Sequence, residues 1–155
     1  HGFNYYFIGG GYMLNISGLN KGIVLDHIKA GKSLDIYYQL GLDKINCPVA
    51  IIKNAKSNKM GSKDIIKIEG DVLSLINLEV LGYIDCNITI NIIENDKIIE
   101  KKTLTLPNKL HNIIKCKNPR CISCSESYIE QIFYLSDKEK ESYRCFYCDE
   151  DYSLY

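Results

Sequence analysis

Residues 116–148 read CKNPRCISCSESYIEQIFYLSDKEKESYRCFYC, and they hold five of the seven cysteines in this 155-residue chain. Four residues separate Cys116 from Cys121, and two separate Cys145 from Cys148. Short spacers let one turn present two sulfurs to the same ion, and zinc prefers tetrahedral coordination by soft thiolates. The spacing therefore predicts one zinc ion, held by two pairs of cysteines that are distant in sequence.

The fifth cysteine of this stretch, Cys124, leaves the ligand set open. Two residues also separate Cys121 from Cys124, so five thiols compete for four positions around the ion. Whichever four bind, a site filled by thiolates has no open position for water or substrate. This predicts a structural rather than a catalytic zinc ion. Outside the stretch, Cys47 and Cys86 have the apolar neighbours that are typical of core residues.

The segment around these cysteines is predicted to be a small domain of its own. Pro107 ends the regular pattern that precedes it, so we place a domain boundary near residue 106. Residues 107–155 are too few to build a self-sufficient apolar core, and domains of this size usually need a metal or disulfides. The YIEQIFYL run followed by SDKEKE indicates a strand and a charged hairpin. We therefore expect an all-β, zinc-binding unit over 107–155.

The segment before residue 106 alternates strand and helix patterns. Branched apolar residues predict a first strand at 22–28, and Ser33 is a candidate cap for a helix at 33–41 that places Leu34 and Tyr38 at helical spacing. The remaining predicted elements are strands at 48–54 and 64–70, a helix at 71–83, and a hairpin that turns at Asn95 and Asp96. This β-α-β-β-α-β order predicts an α+β, ferredoxin-like fold, with one antiparallel sheet and two helices on a single face.

Composition narrows the class of function. Lys plus Arg equals Asp plus Glu at 19 each, so the net charge is zero and no overall field attracts nucleic acid or anionic lipid. No apolar run approaches the roughly 20 residues that span a bilayer, and no secretory signal pattern opens the sequence. We therefore expect a cytoplasmic protein with no membrane or nucleic-acid partner. Residues 1–12, ahead of Met13, are interpreted as a leader or cloning remnant.

Charged residues within the predicted strands have two interpretations. Asp26 and His27 interrupt the apolar first strand, and Lys63, Lys67 and Lys101 lie on or beside neighbouring strands. Their spacing alone favours ordinary surface charges at alternating positions. They can also form a phosphate site, because lysine and histidine donate hydrogen bonds to phosphate oxygens while a carboxylate accepts from a ribose hydroxyl. The sequence has no Gly-rich phosphate loop.

Several motifs together resemble the regulatory chain of aspartate carbamoyltransferase. They are GIVLDHI at 22–28, MGSKDIIKIE at 60–69, TIN at 89–91, LP at 106–107, CKNPRCIS at 116–123 and CFYC at 145–148. They follow one another at the family's spacing without insertions, and the resemblance extends from Leu14 to Tyr155. It implies a non-catalytic subunit of pyrimidine biosynthesis, with an allosteric domain over 13–106 and a zinc domain over 107–155.

The resemblance also implies ligands, partners and site residues. The allosteric domain would bind CTP, ATP and, as a further candidate, UTP. The zinc domain would contact catalytic chains. Two regulatory chains would form a homodimer. The implied zinc ligands are Cys116, Cys121, Cys145 and Cys148, without Cys124. The implied nucleotide residues are Asp26 and His27 for ribose and phosphate, Lys67 and Lys101 for phosphates and ribose, and Leu19, Asn91 and Ile93 around the base.

Two other classes of function compete with this interpretation. The main alternative is a zinc-ribbon nucleic-acid-binding protein, since Lys117 and Arg144 lie beside cysteines, but the acidic run at 149–151 opposes a stripe that follows phosphates. An autonomous enzyme would need a clustered nucleophile and base. The histidines of this chain are instead scattered along the sequence, at His1, His27 and His111.

Overall fold

The computed structural model of the chain describes residues 5–7, 13–15 and 20–153, which belong to two compact units, His1–Leu104 and Thr105–Tyr155. The strands of the first unit are β1 (Tyr5–Phe7), β2 (Met13–Asn15), β3 (Lys21–Lys29), β4 (Val49–Ser57), β5 (Gly61–Glu69), β6 (Thr89–Glu94) and β7 (Lys97–Thr103). Its helices are α1 (Ser33–Gln39), a 3-10 turn (Leu73–Leu75) and α2 (Leu78–Ile84). The second unit contains β8 (Lys109–His111), α3 (Ile122–Ser125), β9 (Ile132–Asp137), β10 (Ser142–Cys145) and β11 (Asp151–Ser153).

A five-stranded antiparallel sheet forms the centre of the first unit, in the order β4-β5-β3-β6-β7. Both helices pack on the same face of it, because Ile36 of α1 and Leu81 of α2 share one buried cluster with Ile23, Ile66 and Ile90 of the sheet. The predicted α+β fold, a ferredoxin-like sheet with two helices on one face, is confirmed. Strand β7 extends this sheet by one strand.

Strand β3 lies in the middle of the sheet and is buried on both sides. Successive side chains of a strand point to opposite faces. Ile23 and Leu25 therefore contribute to the core under the helices, whereas Val24 forms a second, smaller cluster with Ile65 and Ile93. We call the face that carries this smaller cluster the helix-free face. Over the described ranges of the first unit, no helix contributes to the cluster on this face.

Helix α1 begins where the sequence predicted but buries a different side. Ile36 is 2% exposed, whereas Leu34 is 48% and Tyr38 64% exposed. Ser33 does not cap the helix, and its hydroxyl instead donates to Asp64 Oδ2 at 2.6 Å. The prediction of the cap was wrong because a buried carboxylate, distant in sequence, takes the Ser33 hydroxyl as a partner.

The second predicted helix, over 71–83, is divided in the structure. The 3-10 turn comes first, and α2 begins after Asn77, whose side chain accepts two backbone N–H bonds at 3.0 and 3.3 Å and so caps the helix. The predicted hairpin between β6 and β7 is confirmed. Asn95 and Asp96 have φ values of 52° and 60°, as the two central residues of a tight type I′ turn require.

A buried carboxylate joins three elements on the helix side of the sheet. Oδ2 of Asp64, a residue of β5, accepts from the backbone N–H groups of Gly31 at 3.0 Å and Ser33 at 3.2 Å, in addition to the Ser33 hydroxyl. Its Oδ1 accepts from the N–H of Asn54 at 2.8 Å, at a bulge in β4 where Asn54 has a φ of 61°. Burial alone would raise the pKa of Asp64, but these hydrogen bonds lower it.

The second unit is a four-stranded antiparallel sheet in the order β11-β10-β9-β8. Apart from cysteines, its fully buried apolar side chains among the described residues are Leu110, Phe133 and Tyr143. Tyr152 packs edge-on against Phe133, with ring centroids 5.0 Å apart. The predicted small all-β domain is confirmed, with α3 as one helical turn. Its core is too small to be self-sufficient, so further cross-linking is needed.

Two short strands precede the main sheet. In β1 and β2, Tyr5 lies opposite Asn15 and Phe7 lies opposite Met13. The predicted leader over 1–12 falls largely on residues 1–4 and 8–12, which lie outside the described residues. Across the described ranges, no helix has the length and apolarity needed to cross a membrane.

We predict that Asp64→Asn destabilises the first unit by about 2–4 kcal/mol, because the new NH₂ group must face N–H donors in a buried position. Because the pKa of Asp64 is lowered in the folded state, the ionised carboxylate stabilises the fold fully at a pH above its ordinary pKa of 3.8. This stabilisation is lost as the pH falls through the folded-state pKa. The difference between the two proteins should therefore shrink in acid. Hydrogen exchange of the β3 and β5 amides, followed as a function of pH, measures this difference in stability.

The exposed Asp35→Asn is the matched control, since Asp35 lies in α1 and has only a weak ion pair at 4.0 Å. Equal protection of the β3 and β5 amides in both variants at neutral pH would contradict the role given to Asp64.

Candidate functional site

Four cysteine sulfurs converge in the second unit. The Sγ atoms of Cys116, Cys121, Cys145 and Cys148 all lie within 4.8 Å of one another. The distance is 3.6 Å between Cys116 and Cys148, and 3.7 Å between Cys121 and Cys145. Sulfurs bound tetrahedrally to one zinc ion at about 2.3 Å lie about 3.8 Å apart. The cluster therefore has the dimensions of a four-thiolate metal site.

Backbone turns and one amide side chain hold the thiols in place. The first cysteine pair lies on the segment 116–123. The Cys116 N–H donates to Gln131 Oε1 at 2.9 Å, and Gln131 Nε2 donates to the Ser123 carbonyl at 2.9 Å. Gln131, which directly precedes β9, therefore holds both ends of this segment. The second turn follows β10 and is closed by the Asp149 N–H, which donates to the Cys145 carbonyl at 2.9 Å. Asp149 has a φ of 60° at this turn.

Cys124 lies beside the cluster without being part of it. It is exposed, and its Sγ donates to the backbone carbonyl of Cys116 at 3.0 Å. Sequence spacing left a pair of Cys121 and Cys124 open. The structure separates Cys124 from the four thiols that it brings together.

The pKa values of two buried thiols are shifted in opposite directions. Burial opposes ionisation of Cys121, but hydrogen bonds from Ser123 and from neighbouring thiols lower its pKa to about 7. Burial raises the pKa of Cys145 to about 12. One thiolate is thus favoured by its hydrogen bonds, and a second is penalised by burial. A divalent cation would remove that penalty, since its charge stabilises all four thiolates.

A second group of polar residues lies on the helix-free face of the first unit. The strand register places Lys101 opposite Asn91, Asn91 opposite Val24, and Val24 opposite Lys67. Residues directly opposite one another share a face, at about 4.8 Å per strand. Asn91 therefore lies between two lysines in a single row. Ile93, two residues further along β6, is fully buried on the same face.

Asn91 is the least satisfied polar residue of this row. It is fully buried, and neither the oxygen nor the nitrogen of its carboxamide has a hydrogen-bond partner among the residues that the structure describes. Leaving a buried polar group unpaired costs about 1–3 kcal/mol, which a ligand with a matching donor and acceptor would recover. Burial also lowers the pKa of the neighbouring Lys67, and an anion bound there would reverse that shift. Lys101 is exposed.

Asp26 and Lys63 form a buried ion pair on the same face. Their side chains are 1% and 11% exposed, and Lys63 Nζ lies 2.8 Å from Asp26 Oδ1. The interpretation of these two residues as surface charges was therefore wrong. A lysine paired with a carboxylate is held at one position, so Lys63 belongs to the candidate site although the family motifs did not assign it. The sequence had already included Lys63 among the lysines that could bind phosphate, and alternation along β5 places it on the same face as Lys67.

His27 owes its position to a bulge in β3. Asp26 and His27 together lie opposite the single residue Ile65, and His27 has a φ of 60°. Bulges often re-aim a side chain beside a functional site. The His27 Nδ1 lies 2.9 Å from the Thr89 hydroxyl oxygen, which fixes the ring. Burial lowers the pKa of His27, and the nearby Asp26 opposes that shift in part. Leu19, expected near a base, lies outside the described residues.

Comparison with known proteins connects both sites to one family. Residues 14–105 match the family described as "Aspartate carbamoyltransferase regulatory chain, allosteric domain", and residues 108–154 match "Aspartate carbamoyltransferase regulatory chain, metal binding domain". The chain belongs to the family of aspartate carbamoyltransferase regulatory chains. The resemblance drawn from the sequence motifs is thereby confirmed.

Curated relatives with the same regulatory-chain name cover nearly the whole sequence. The relative from Clostridium botulinum is 53% identical over 141 residues, which are 91% of this chain and 95% of the relative. The relative from Clostridium tetani is 51% identical over 142 residues, which are 92% of this chain and 98% of the relative. The relative from Bifidobacterium longum is 41% identical over 141 residues, which are 91% of this chain and 100% of the relative.

The family name also bears on the alternatives. A regulatory chain is the non-catalytic subunit of its complex, which agrees with the expectation that this chain is not itself an enzyme. The zinc-ribbon nucleic-acid-binding alternative is not favoured. The cysteine cluster lies within the range matched by the metal binding domain of the regulatory chain.

We predict that Cys148→Ser and Cys124→Ser behave differently towards metal. Removing a thiol of the cluster should weaken cobalt binding by at least about tenfold, since even residues that only orient metal ligands cost 10–100-fold. Cys124→Ser should keep one cobalt ion per chain and an unchanged thiolate-to-cobalt absorption band. Titration of the full chain with Co²⁺ measures both. An equal loss of affinity in the two variants would contradict the proposed separation of Cys124 from the cluster.

Proposed function

We propose that this regulatory chain binds nucleoside triphosphates on the helix-free face of its first unit. CTP, ATP and UTP are the proposed effectors, through which the chain controls pyrimidine biosynthesis in the cytoplasm. The observation that carries the proposal is the buried Asn91 carboxamide, which has no hydrogen-bond partner in the described part of the chain. A nucleobase edge offers hydrogen-bond donors and acceptors that can pair with such an amide.

The charges around Asn91 support a triphosphate on the same face. Lys67 and Lys101 lie on either side of it in one row, and both can donate to phosphate oxygens. The Asp26 carboxylate can accept from a ribose hydroxyl while it holds Lys63. CTP, ATP and UTP share the ribose and triphosphate, so the choice between them rests on base contacts. We assign that choice to Leu19, Asn91 and Ile93.

The second unit is proposed to hold one structural zinc ion on Cys116, Cys121, Cys145 and Cys148. Distances of 3.6 and 3.7 Å between sulfurs and an all-thiolate donor set suit zinc. The ion would supply the cross-link that the small core of this unit lacks. With four thiolates bound it leaves no position for substrate, so its role is structural.

The same unit is proposed to contact the catalytic chains. Ile122 follows Cys121 and Phe146 follows Cys145, and their side chains are 52% and 62% exposed. Exposed apolar groups on both metal-binding turns favour a protein partner over solvent. Zinc would fix the turns that carry them, so metal binding and docking are coupled.

Regulation requires that effectors distinguish two states of the assembly. A nucleotide can shift an equilibrium only by its difference in affinity for the two states, and the coupling acts equally in both directions. The regulatory-chain homodimer is a further part of the proposal. Strands β4 and β7 are the edges of the five-stranded sheet, and their free backbone groups can pair with a second copy.

We predict that Lys101→Ala weakens CTP and ATP binding by about tenfold or more, because a charge-assisted hydrogen bond to phosphate contributes about 1.5–3 kcal/mol. Calorimetric titration of the full chain measures this. Lys102→Ala is the matched control, since Lys102 lies opposite Ile90 and so faces the helix side of the sheet. Unchanged affinity in Lys101→Ala would refute the phosphate assignment.

We also predict that a mercurial reagent or strong chelator releases the chain from its catalytic partners. Loss of the ion should unfold the second unit and with it the docking surface, because metal binding and folding are coupled in domains of this size. Size-exclusion chromatography together with metal analysis follows both events. A complex that survives complete zinc loss would refute the docking role.

A further inference from the structure

A cleft beside His27 is lined by residues that, apart from His27 itself, have no role in the proposed nucleotide or zinc site. It has a volume of about 500 Å³ and lies where the end of β3, the β4–β5 turn and the segment between α2 and β6 meet. We call it the His27 cleft. Its polar lining consists of His27, Lys29, Lys59, Ser62, Asp85 and Asn87. The volume is in the range of ordinary small-molecule sites.

Cationic side chains outnumber acidic ones in this cleft. Lys29 and Lys59 are exposed ammonium groups, and neither forms an ion pair within the part of the chain that the structure describes. Among the described residues of the lining, Asp85 is the one acidic side chain. The acid nearest to His27 on the other side, Asp26, already pairs with Lys63 at 2.8 Å. The cleft therefore favours an anion.

His27 is held in a form that suits an anion. Its positive φ is costly for a residue with a side chain and persists only where the surroundings fix it. Thr89 lies 2.9 Å from Nδ1, so when the Thr89 hydroxyl donates to Nδ1 the proton of the neutral ring resides on Nε2. Nε2 then remains a donor, with no hydrogen-bond partner among the described residues.

The rest of the lining limits what kind of anion fits. Asp85 Oδ1 accepts from the Asn87 N–H at 2.9 Å, which fixes the acid on the wall of the cleft, where it can accept from hydroxyl groups. Asn87 and Ser62 can both donate and accept. Met60 and Ala30 add apolar surface for a carbon skeleton. A bare inorganic anion would use only the cationic part of this lining.

We propose that the His27 cleft binds a small phosphorylated metabolite with free hydroxyl groups, of the sugar-phosphate class. Lys29, Lys59 and His27 hold the phosphate, and Asp85 and Asn87 hold the hydroxyls. The ligand is distinct from the nucleoside triphosphate on the helix-free face. His27 is the residue that both sites share, so an anion bound at one site changes the charge on His27 and thereby the affinity of the other site; this coupling rests on the proposed nucleotide site.

The test uses the full chain with ribose 5-phosphate as probe, and with inorganic phosphate and ribose as comparison arms. Ribose 5-phosphate should bind more tightly than inorganic phosphate, and ribose should show no binding. Lys59→Gln should weaken ribose 5-phosphate binding at least tenfold. Lys97→Gln is the matched control, because this exposed lysine lies at the β6–β7 turn, outside the cleft. The Lys97→Gln variant should bind ribose 5-phosphate as tightly as the unmodified chain. Asp85→Asn should weaken ribose 5-phosphate binding and leave inorganic phosphate binding unchanged.

Two further measurements separate this proposal from others. The His27 ring, followed by NMR, should show a higher pKa when ribose 5-phosphate is bound, because a nearby anion favours imidazolium. CTP binding should survive Lys59→Gln within threefold, whereas Lys101→Ala should lose it, so failure of one site does not imply failure of the other. Equal affinity of the unmodified chain and Lys59→Gln for ribose 5-phosphate, or no binding to the unmodified chain at millimolar concentration, would overturn the proposal.

Discussion

The hydrogen bonds around Asp64 are the constraint on which the first unit depends. Lys63 and Asp64 are neighbours in β5 and point to opposite faces of the sheet. Asp64 binds the start of α1 and the bulge in β4, whereas Lys63 pairs with Asp26 on the helix-free face. A single peptide unit thus connects the helix layer to the candidate nucleotide site. Because both side chains are buried, neither can move without breaking charge-assisted hydrogen bonds.

The helix-free face has a division between structural and binding groups. Val24 and Ile93 provide packing, and the ion pair of Asp26 with Lys63 is satisfied within the protein. Asn91 is satisfied by nothing in the described chain. An unpaired buried amide lowers stability, so its presence among cations is explained better by a ligand than by the fold. This contrast within a few ångströms is the reason for placing a base beside Asn91.

In the second unit, sulfur chemistry replaces an apolar core. A core as small as that of Leu110, Phe133 and Tyr143 contributes little stability. Four converging cysteines can supply the rest as thiolates bound to a cation, which offsets their negative charge. Burial raises the pKa of Cys145 to about 12, so ionisation of that thiol in particular requires a nearby cation. In the proposed function, metal binding, folding and docking of this unit are therefore coupled.

The sequence by itself determined the ferredoxin-like order, the β6–β7 turn and the metal-binding class of the second unit, because turn chemistry, alternation and cysteine spacing are local. It could not decide what Ser33 binds, since Asp64 is a partner from another strand. Likewise, the family motifs indicated which four cysteines bind metal, but only the structure shows that their four sulfurs converge and that Cys124 lies outside the cluster. Burial of the lysine at position 63 also followed from the register of three strands. Contacts between residues that are distant in sequence are determined by tertiary packing, and the spacing of residues along the chain does not indicate them.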